Sequence, residues 1–198
     1  CFVCGKRLSA IEEVICIACN LKLPRTDFSK NPYDNEMAKL FWGQIPVERA
    51  AAFFYYESHS KTANVIYKLK YKSHPEIGPV MGRKVAVEFQ RDHFFDGIDG
   101  IVPIPLTKKR FRQRGYNQSE EIAKGINEMT GIPIYTGIVK RTVFKGSQTR
   151  RRRWERQENV EYAFSLVDGE PIIGKHILLI DDVVTTGATV IACAKELC

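Results

Sequence analysis

The sequence predicts an α/β domain with a mainly parallel sheet. Two short apolar runs indicate its strands, one at Ile101 and Val102 and the other at residues 177–180. The second run does not alternate with polar residues, which is typical of a strand buried on both faces of a parallel sheet. Apolar residues at helical spacing follow each run, so strands and helices alternate from Ile101 onward.

Two acids and a polar loop follow the second run directly. Asp181 and Asp182 would lie at the carboxyl end of the strand, where open α/β sheets bind their ligands. The loop offers three threonine hydroxyls, a flexible backbone at Gly187 and free N–H groups that enter a helix, a combination that holds phosphate. An acid pair beside such a loop indicates a sugar phosphate. The alternative is a strand that ends in a polar turn, with Asp and Thr only capping the next helix.

Composition sets the broad class of the protein. The chain has 198 residues, enough for one full domain and a small appendage. Its apolar share of 44% and charged share of 27% are ordinary for a soluble globular protein. It has no run of about eighteen apolar residues and no signal-like start, so we expect no membrane insertion and a cytoplasmic location. The formal net charge of +7 favours polyanionic partners.

Four cysteines near the start form two Cys-x2-Cys pairs, at Cys1 and Cys4 and at Cys16 and Cys19. Each pair can grip one metal ion from a tight turn, helped by Gly5, and two pairs complete a tetrahedral thiolate site for zinc. Two disulfides are the alternative, which a reducing compartment disfavours. Four thiolates leave no open coordination position, so the predicted zinc is structural.

A connector and a small hood are expected after the cysteines. Residues 27–44 are polar and punctuated by prolines, with Phe41 and Trp42 as candidate anchors. The apolar and aromatic run at residues 50–57 predicts a strand of the hood.

Two helices are predicted next, the first capped by Ser60. Their apolar residues at helical spacing are Val65, Ile66 and Leu69 in the first, then Ile77, Met81, Val85 and Phe89 in the second. Lys70 is the candidate functional residue in this region, and its alternative role is a solvated helix charge.

The first strand leads into a rigid turn and a cationic segment. Pro103 and Pro105 restrict the turn. Five cations follow within seven residues, namely Lys108, Lys109, Arg110, Arg112 and Arg114. A helix comes next, with Ser119 as its candidate N-cap and Gly131 at its end.

The most basic stretch of the chain follows a further predicted strand at residues 132–139. It contains Phe144 and Trp154 among the cations Lys140, Arg141, Lys145, Arg150, Arg151, Arg152, Arg153 and Arg156. The stretch is too polar for a core and too long for a tight turn, which indicates a loop or a partly helical flap. Arginine with tryptophan is the chemistry of single-strand binding, and a solvated loop is the alternative.

The acid loop resembles the phosphoribosyl pyrophosphate (PRPP) signature of type I phosphoribosyltransferases. The matching residues are Asp181, Asp182, Val183, Val184, Thr185, Thr186, Gly187, Ala188 and Thr189. The resemblance implies a sheet with helices on both faces, catalytic acids on the ribose hydroxyls, a loop on the 5′-phosphate, and Mg²⁺ bound with PRPP. It also implies a flap that closes over PRPP and a pyrophosphate loop made of Ile104, Pro105, Leu106 and Thr107.

A wider pattern resembles the ComF family of competence proteins, in which a phosphoribosyltransferase-like domain follows a four-cysteine zinc segment. Val-Pro-Ile-Pro at residues 102–105 precedes Arg-Gly-Tyr-Asn-Gln at residues 114–118, and Leu-Lys-Tyr at residues 69–71 keeps the family's order. A further signature is matched by Gln148, Arg156, Asn159, Ala163 and Phe164. The arginines at residues 150–153 depart from it, because the family usually has an apolar residue shortly after the glutamine.

This resemblance implies a PRPP-binding protein in the uptake or handling of single-stranded DNA during natural transformation. Its partners would be PRPP, single-stranded DNA and other competence proteins such as a DNA helicase or translocase. The residues expected to bind DNA or to form the flap are Arg114, Asn117, Arg141, Gln148, Arg150, Arg151, Arg152, Arg153, Trp154 and Arg156. One alternative is an active transferase that moves ribose 5-phosphate to a nitrogen nucleophile, and another is a regulator that senses PRPP.

Three segments are expected from these patterns. Residues 1–24 form a four-cysteine zinc finger, residues 25–94 a connector with a hood and helices, and residues 95–198 the phosphoribosyltransferase-like domain. A doubly wound domain normally continues into another strand, so we expect the last segment to be incomplete at its C-terminal end.

Overall fold

The computed structural model describes residues 1–57, 60, 63–71, 73–143 and 162–198. Its helices are α1 (Ile17–Leu21), α2 (Glu36–Lys39), α3 (Ala63–Tyr71), α4 (Ile77–Arg91), α5 (Lys108–Arg114), α6 (Gln118–Thr130) and α7 (Ala188–Ala194). Its strands are β1 (Gly100–Pro103), β2 (Val139–Val143), β3 (Tyr162–Leu166) and β4 (Ile177–Ile180). None of the helices in these ranges is long and apolar enough to cross a membrane.

A small parallel sheet lies at the centre of the α/β arrangement, as predicted. Strand β1 pairs with β4 in parallel, from Gly100 opposite Ile177 to Pro103 opposite Ile180. On its other side, Ile101 bridges to Ile134. Parallel strands need a crossover between them, and α5 and α6 lie in the connection from β1 to β4. The sheet therefore brings together two segments that are far apart in the sequence.

The predicted strand at residues 132–139 is wrong in its extent. Only the bridge at Ile134 pairs with β1, and the regular strand β2 begins at Val139 and runs antiparallel to β3. Gly137 explains the break, because its φ of +77° turns the chain away from the extended conformation. The pairing near Ile134 continues through the N–H of Tyr135, which donates to the Ile101 carbonyl at 2.8 Å.

The expected helices α3 and α4 form, but the expected hood strand does not. Within residues 50–57, Phe54 makes one isolated bridge to Arg25 and the backbone has no regular ladder. The aromatic side chains pack instead, since the Phe53 ring lies 6.3 Å from the Phe89 ring on α4. Side-chain packing on α4 therefore takes the place of strand pairing.

One of the two predicted anchors of the connector is confirmed. Phe41 is 2% exposed and packs with Ala38, Ala50 and Ile191. Trp42 is 55% exposed, so its prediction as an anchor is wrong. Its ring lies against the Lys39 ammonium group, 5.7 Å from the ring centroid, rather than in the core.

Candidate functional site

Two loops meet at the carboxyl end of the parallel sheet. The N–H of Ile104 donates to the carbonyl of Ile180 at 2.9 Å, which continues the pairing of β1 and β4 by one step. The segment from Ile104 to Thr107 therefore begins beside Asp181. Thr107 is 5% exposed and caps α5 by accepting the N–H of Arg110. Pro105 and Leu106 between them are half-buried.

Two hydrogen bonds hold the Asp181 carboxylate at this edge of the sheet. Its Oδ1 accepts the Ser119 hydroxyl at 3.3 Å and the backbone N–H of Asp182 at 2.9 Å. Burial and the adjacent Asp182 carboxylate raise the pKa of Asp181 to about 6, although the Asp182 N–H and the cations Lys70 and Arg141 oppose the shift. The two neighbouring acids therefore differ in their surroundings.

Asp182 pairs with a cation from a distant helix. Its Oδ1 lies 3.0 Å from the Lys70 Nζ, and both side chains are largely buried, at 11% and 21% exposure. The Tyr116 hydroxyl donates to the Leu69 carbonyl and so ties the end of α3 to the segment before α6. Lys70 is thus a site residue, and the alternative of a solvated helix charge is wrong for it.

Ser119 contacts Asp181, a role that differs from the helix cap predicted for it. The predicted N-cap at Ser119 is wrong, because Asn117 caps α6 by accepting the Ser119 N–H at 3.2 Å. The Asn117 side chain also donates to the Ile104 carbonyl at 3.0 Å and so attaches α6 to the loop after β1. The Asn-x-Ser spacing is the available signal, since an Asn N-cap leaves the serine hydroxyl for other contacts.

The threonine-rich loop leads directly into α7. Gly187 is its N-cap with a φ of +76°, and no side chain of the described chain caps this end. A Cβ atom on Gly187 would lie 2.9 Å from the Phe41 ring, so the loop packs closely on the connector. Thr185 and Thr186 are exposed, and Thr189 and the preceding Val183 and Val184 are half-buried. The loop therefore presents two hydroxyl groups to solvent beside the acids.

The residues predicted to bind DNA are distributed over several places. Arg114 ends α5 and donates to the Gln118 Oε1 at 2.6 Å. Arg141 is 8% exposed, with its guanidinium 5.2 Å from the Phe164 ring centroid, and Asn117 is 7% exposed. The rest of the predicted set lies outside the described residues and comprises Gln148, Arg150, Arg151, Arg152, Arg153, Trp154 and Arg156.

The four N-terminal cysteines converge on one point. Their sulfur atoms all lie within 4.8 Å of one another, and the cysteines are free thiols rather than disulfides. A tetrahedral site with zinc–sulfur bonds of about 2.3 Å places its sulfurs about 3.8 Å apart. The Cys4 and Cys16 Sγ atoms are 3.9 Å apart, which fits that geometry. Cys1, Cys4, Cys16 and Cys19 can therefore hold a metal ion such as zinc.

The local backbone and electrostatics also suit a metal ion. Gly5 turns the chain after Cys4 with a φ of +77°, and the N–H of Cys16 points at the Cys1 Sγ at 3.3 Å. Burial, then the neighbouring thiols of Cys16 and Cys4, raise the pKa of Cys19 to about 11. A bound metal cation lowers the pKa of these thiols again, because its positive charge stabilises the thiolates that burial and the neighbouring cysteines disfavour.

Comparison with known proteins finds relatives among curated sequences. "DNA utilization protein YhgH" of Escherichia coli (strain K12) is 31% identical over 136 residues, which cover 67% of this chain and 59% of the relative. "Competence protein F" of Haemophilus influenzae is 33% identical over 109 residues, covering 54% of this chain and 48% of the relative. "Competence protein ComFC" of Streptococcus pneumoniae is 36% identical over 90 residues, covering 46% and 37%.

The chain thus spans less than two thirds of the length of these relatives. No family model matches the chain, and no solved structure matches it.

Proposed function

Because this chain belongs to the ComF family of competence proteins, we propose that it binds PRPP with Mg²⁺ and handles single-stranded DNA during natural transformation. In this proposal residues 95–198 form a type I phosphoribosyltransferase-like domain with helices on both faces of its sheet. Residues 1–24 form the zinc finger, and residues 25–94 form the connector, hood and helices. The proposed location is the cytoplasm, a reducing compartment in which the four cysteines bind zinc rather than form disulfides.

The observation that carries the PRPP proposal is the meeting of two loops around an acid pair. Asp181 and Asp182 follow Ile180, whose carbonyl accepts the N–H of Ile104 at 2.9 Å. The acids are followed by the threonine loop at residues 185–189. PRPP has a diphosphate at one end, a 5′-phosphate at the other and ribose hydroxyls between them. The loop at residues 104–107, the two carboxylates and the threonine loop could contact these three parts in turn.

The individual residues suit different parts of that ligand. In our proposal Asp181 and Asp182 accept the ribose hydroxyls, Thr185, Thr186 and Thr189 donate to the 5′-phosphate, and residues 104–107 contact the diphosphate. Mg²⁺ neutralises the charge of the diphosphate when bound, and carboxylate oxygens are among the ligands it prefers.

The acids also have a part if the diphosphate departs. Positive charge then grows on the ribose, and the carboxylates of Asp181 and Asp182 stabilise it. Lys70 opposes this effect while it remains paired with Asp182 at 3.0 Å.

The nucleic-acid part of the proposal rests on the charge and on the relatives. The chain carries a net charge of +7, and residues 150–153 are four arginines next to Trp154. Guanidinium groups that follow phosphates and an indole that stacks on a base form a typical single-strand contact. The relatives' names refer to competence and DNA utilization. A DNA helicase or translocase is the protein partner that we propose.

Substitution of the acids tests the PRPP site. We expect Asp182→Asn and Asp181→Asn to weaken PRPP·Mg²⁺ binding by at least about tenfold in calorimetry, because each removes a charge-assisted hydrogen bond. Asp34→Asn is the matched control, since Asp34 is an exposed carboxylate that pairs only with Lys39 among its described contacts. Unchanged PRPP affinity in both site variants would refute the pocket.

An active phosphoribosyltransferase is the second candidate function. The different surroundings of the two acids favour it, since Asp181 contacts Ser119 and Asp182 contacts Lys70. Incubation of the protein with labelled PRPP, Mg²⁺, a panel of bases and single-stranded DNA separates the candidates. Release of pyrophosphate with one acceptor supports the enzyme, and binding without release supports the non-catalytic role.

A further inference from the structure

A cavity, which we call the basic pocket, lies between the end of α3 and α5. Its volume is about 320 Å³, and it is lined by Lys70, Tyr71, Ser73, Arg110, Gln113 and Arg114. These described walls hold three cations and no carboxylate. A cavity of this size with convergent cations is suited to a small anionic group.

Arg114 brings a positive charge to the wall of the basic pocket. Arg114 donates to the Gln118 Oε1 at 2.6 Å, and a neutral amide does not cancel the guanidinium charge. Lys70 pairs with Asp182 at 3.0 Å, but its side chain also forms part of the pocket wall. Arg110 is exposed on the adjacent turn of α5. The electrostatic preference of the pocket is therefore for phosphate.

An aromatic ring stands beside these cations. Tyr71 is 62% exposed, so its ring is accessible from solvent. The Arg114 guanidinium lies 5.3 Å from the centroid of its ring, and the Tyr67 ring lies 5.3 Å away on the same helix. A phenol ring next to guanidinium groups is the arrangement that holds a base and its phosphate together.

We propose that the basic pocket binds one nucleotide unit, with its phosphate on Lys70, Arg110 and Arg114 and its base against Tyr71. The unit is either a free nucleotide or one nucleotide of a single strand, since both offer the same phosphate and base. The inference deepens the proposed function, because it gives the nucleic acid a binding site on the described part of the chain.

The basic pocket is separate from the PRPP loops but adjacent to them. Lys70 is the shared residue, because it lines the pocket and its Nζ contacts Asp182. A nucleotide in the pocket would therefore lie one lysine side chain away from the acid pair. The other two pocket cations, Arg110 and Arg114, belong to α5, which starts directly after the loop at residues 104–107.

Replacement of one pocket arginine tests the proposal. The probes are a fluorescein-labelled oligothymidylate, measured by anisotropy, and thymidine 5′-monophosphate, measured by calorimetry. We expect Arg110→Ala to weaken nucleotide binding about tenfold, because it removes one charge-assisted phosphate contact. Arg112→Ala removes the same charge from the same helix outside the pocket wall, and we expect it to change affinity less than about twofold.

Replacement of the aromatic ring tests the base contact. We expect Tyr71→Ala to abolish the preference for oligothymidylate over an abasic strand of equal length, and Tyr71→Phe to retain it, because the ring and not the hydroxyl stacks. Binding of the monophosphate by the wild-type protein identifies a free nucleotide as the ligand. Binding of the strand alone identifies a nucleotide within single-stranded DNA.

PRPP calorimetry on the same variants separates this inference from the proposed function. We expect Arg110→Ala to keep its PRPP affinity and Asp181→Asn to keep its nucleotide affinity. Equal losses of nucleotide binding in Arg110→Ala and Arg112→Ala would overturn the pocket in favour of diffuse charge. Loss of PRPP binding alone in Arg110→Ala would assign the cations to PRPP and also overturn it. Circular dichroism of each variant checks that the fold is kept.

Discussion

Burial and the neighbouring Asp182 carboxylate oppose the ionisation of Asp181. It is partly buried beside the Asp182 carboxylate, and its pKa is raised to about 6. The folded protein therefore binds this proton more tightly than the unfolded chain does, for which the ordinary pKa is 3.8. Above pH 6 the ionised Asp181 side chain lowers the free energy of unfolding. This destabilisation shrinks as the pH falls below about 6, and it vanishes below pH 3.8, where the side chain is protonated in both the folded and the unfolded state. The hydrogen bond from the Asp182 N–H offsets part of this cost.

The first prediction concerns stability as a function of pH. We expect Asp181→Asn to raise the free energy of unfolding by up to about 3 kcal/mol at pH 8, since a shift of about two pKa units is relieved. Asparagine keeps an oxygen that accepts the Ser119 hydroxyl and the Asp182 N–H. Urea unfolding from pH 8 to pH 5 should show the gain shrinking with acidity. A gain that is constant with pH, or equally present in Asp34→Asn, would contradict the electrostatic cause.

Single-residue predictions from sequence succeed where the signal is local. Gly187 uses the flexible backbone expected of it by adopting a positive φ, and the four cysteines converge as their spacing predicts. Ser119 and Lys70 are different cases. Their contacts with Asp181 and Asp182 cross 62 and 112 positions of the chain, so only the packing of α3 and α6 against the sheet produces them.

The two long helices α4 and α6 cross with glycine at their contact. A Cβ atom on Gly82 would lie 2.1 Å from the Ile122 carbonyl oxygen, and one on Gly125 would lie 2.0 Å from the Pro79 carbonyl oxygen. Gly78 faces Glu121 in the same way, at 2.3 Å from its Cβ. The close approach sets the position of α6, whose first turn carries Ser119 into the candidate site.

The second prediction concerns this helix crossing. We expect Gly125→Ala to lower the free energy of unfolding by about 1–3 kcal/mol, because the added methyl group meets backbone atoms that cannot move aside. The better helix propensity of alanine, about 1 kcal/mol, offsets only part of that loss. Gln90→Ala on the exposed face of α4 is the control and should change stability by less than about 0.5 kcal/mol. A neutral Gly125→Ala variant in urea unfolding would show that the helices separate easily.

Element prediction succeeds for α3, α4, α6, β1 and β4, whose apolar spacing is regular. It fails for the hood at residues 50–57, because an apolar aromatic run is equally compatible with a strand and with irregular packing on α4. It also fails for the limits of β2. Gly137 marks that break in the sequence, but the antiparallel partner β3 lies beyond the basic stretch, and no local pattern reveals which strand pairs with β2.

The four-cysteine segment at residues 1–24, here called the cysteine head, contributes side chains to the core of the protein. Val3, Val14 and Ile15 pack with Val65 and Leu69 of α3 and with residues of α4. Arg83 of α4 also pairs with Glu13 of the head and, at 2.8 Å, with Glu128 of α6. Loss of the metal site would therefore loosen the helix that carries Lys70.

The third prediction concerns metal content and its effect on the whole fold. We expect Cys4→Ser to lose one equivalent of zinc, measured by mass spectrometry of the metal, and to lower the thermal midpoint of unfolding. Cys198→Ser is the control, because Cys198 is exposed and does not belong to the cluster. Zinc retained at full content in Cys4→Ser would refute the four-thiolate site. A lowered midpoint in Cys198→Ser alone would also contradict it.

Lys70 belongs to two sites at once, and this has a thermodynamic consequence. Its ammonium contacts Asp182, and its side chain lines the basic pocket. A phosphate that draws Lys70 toward the pocket leaves Asp182 without its cation and so changes the affinity of the acid pair for its own ligand. Linkage requires the reverse effect to have the same magnitude, so the factor by which a nucleotide changes PRPP affinity equals the factor by which PRPP changes nucleotide affinity.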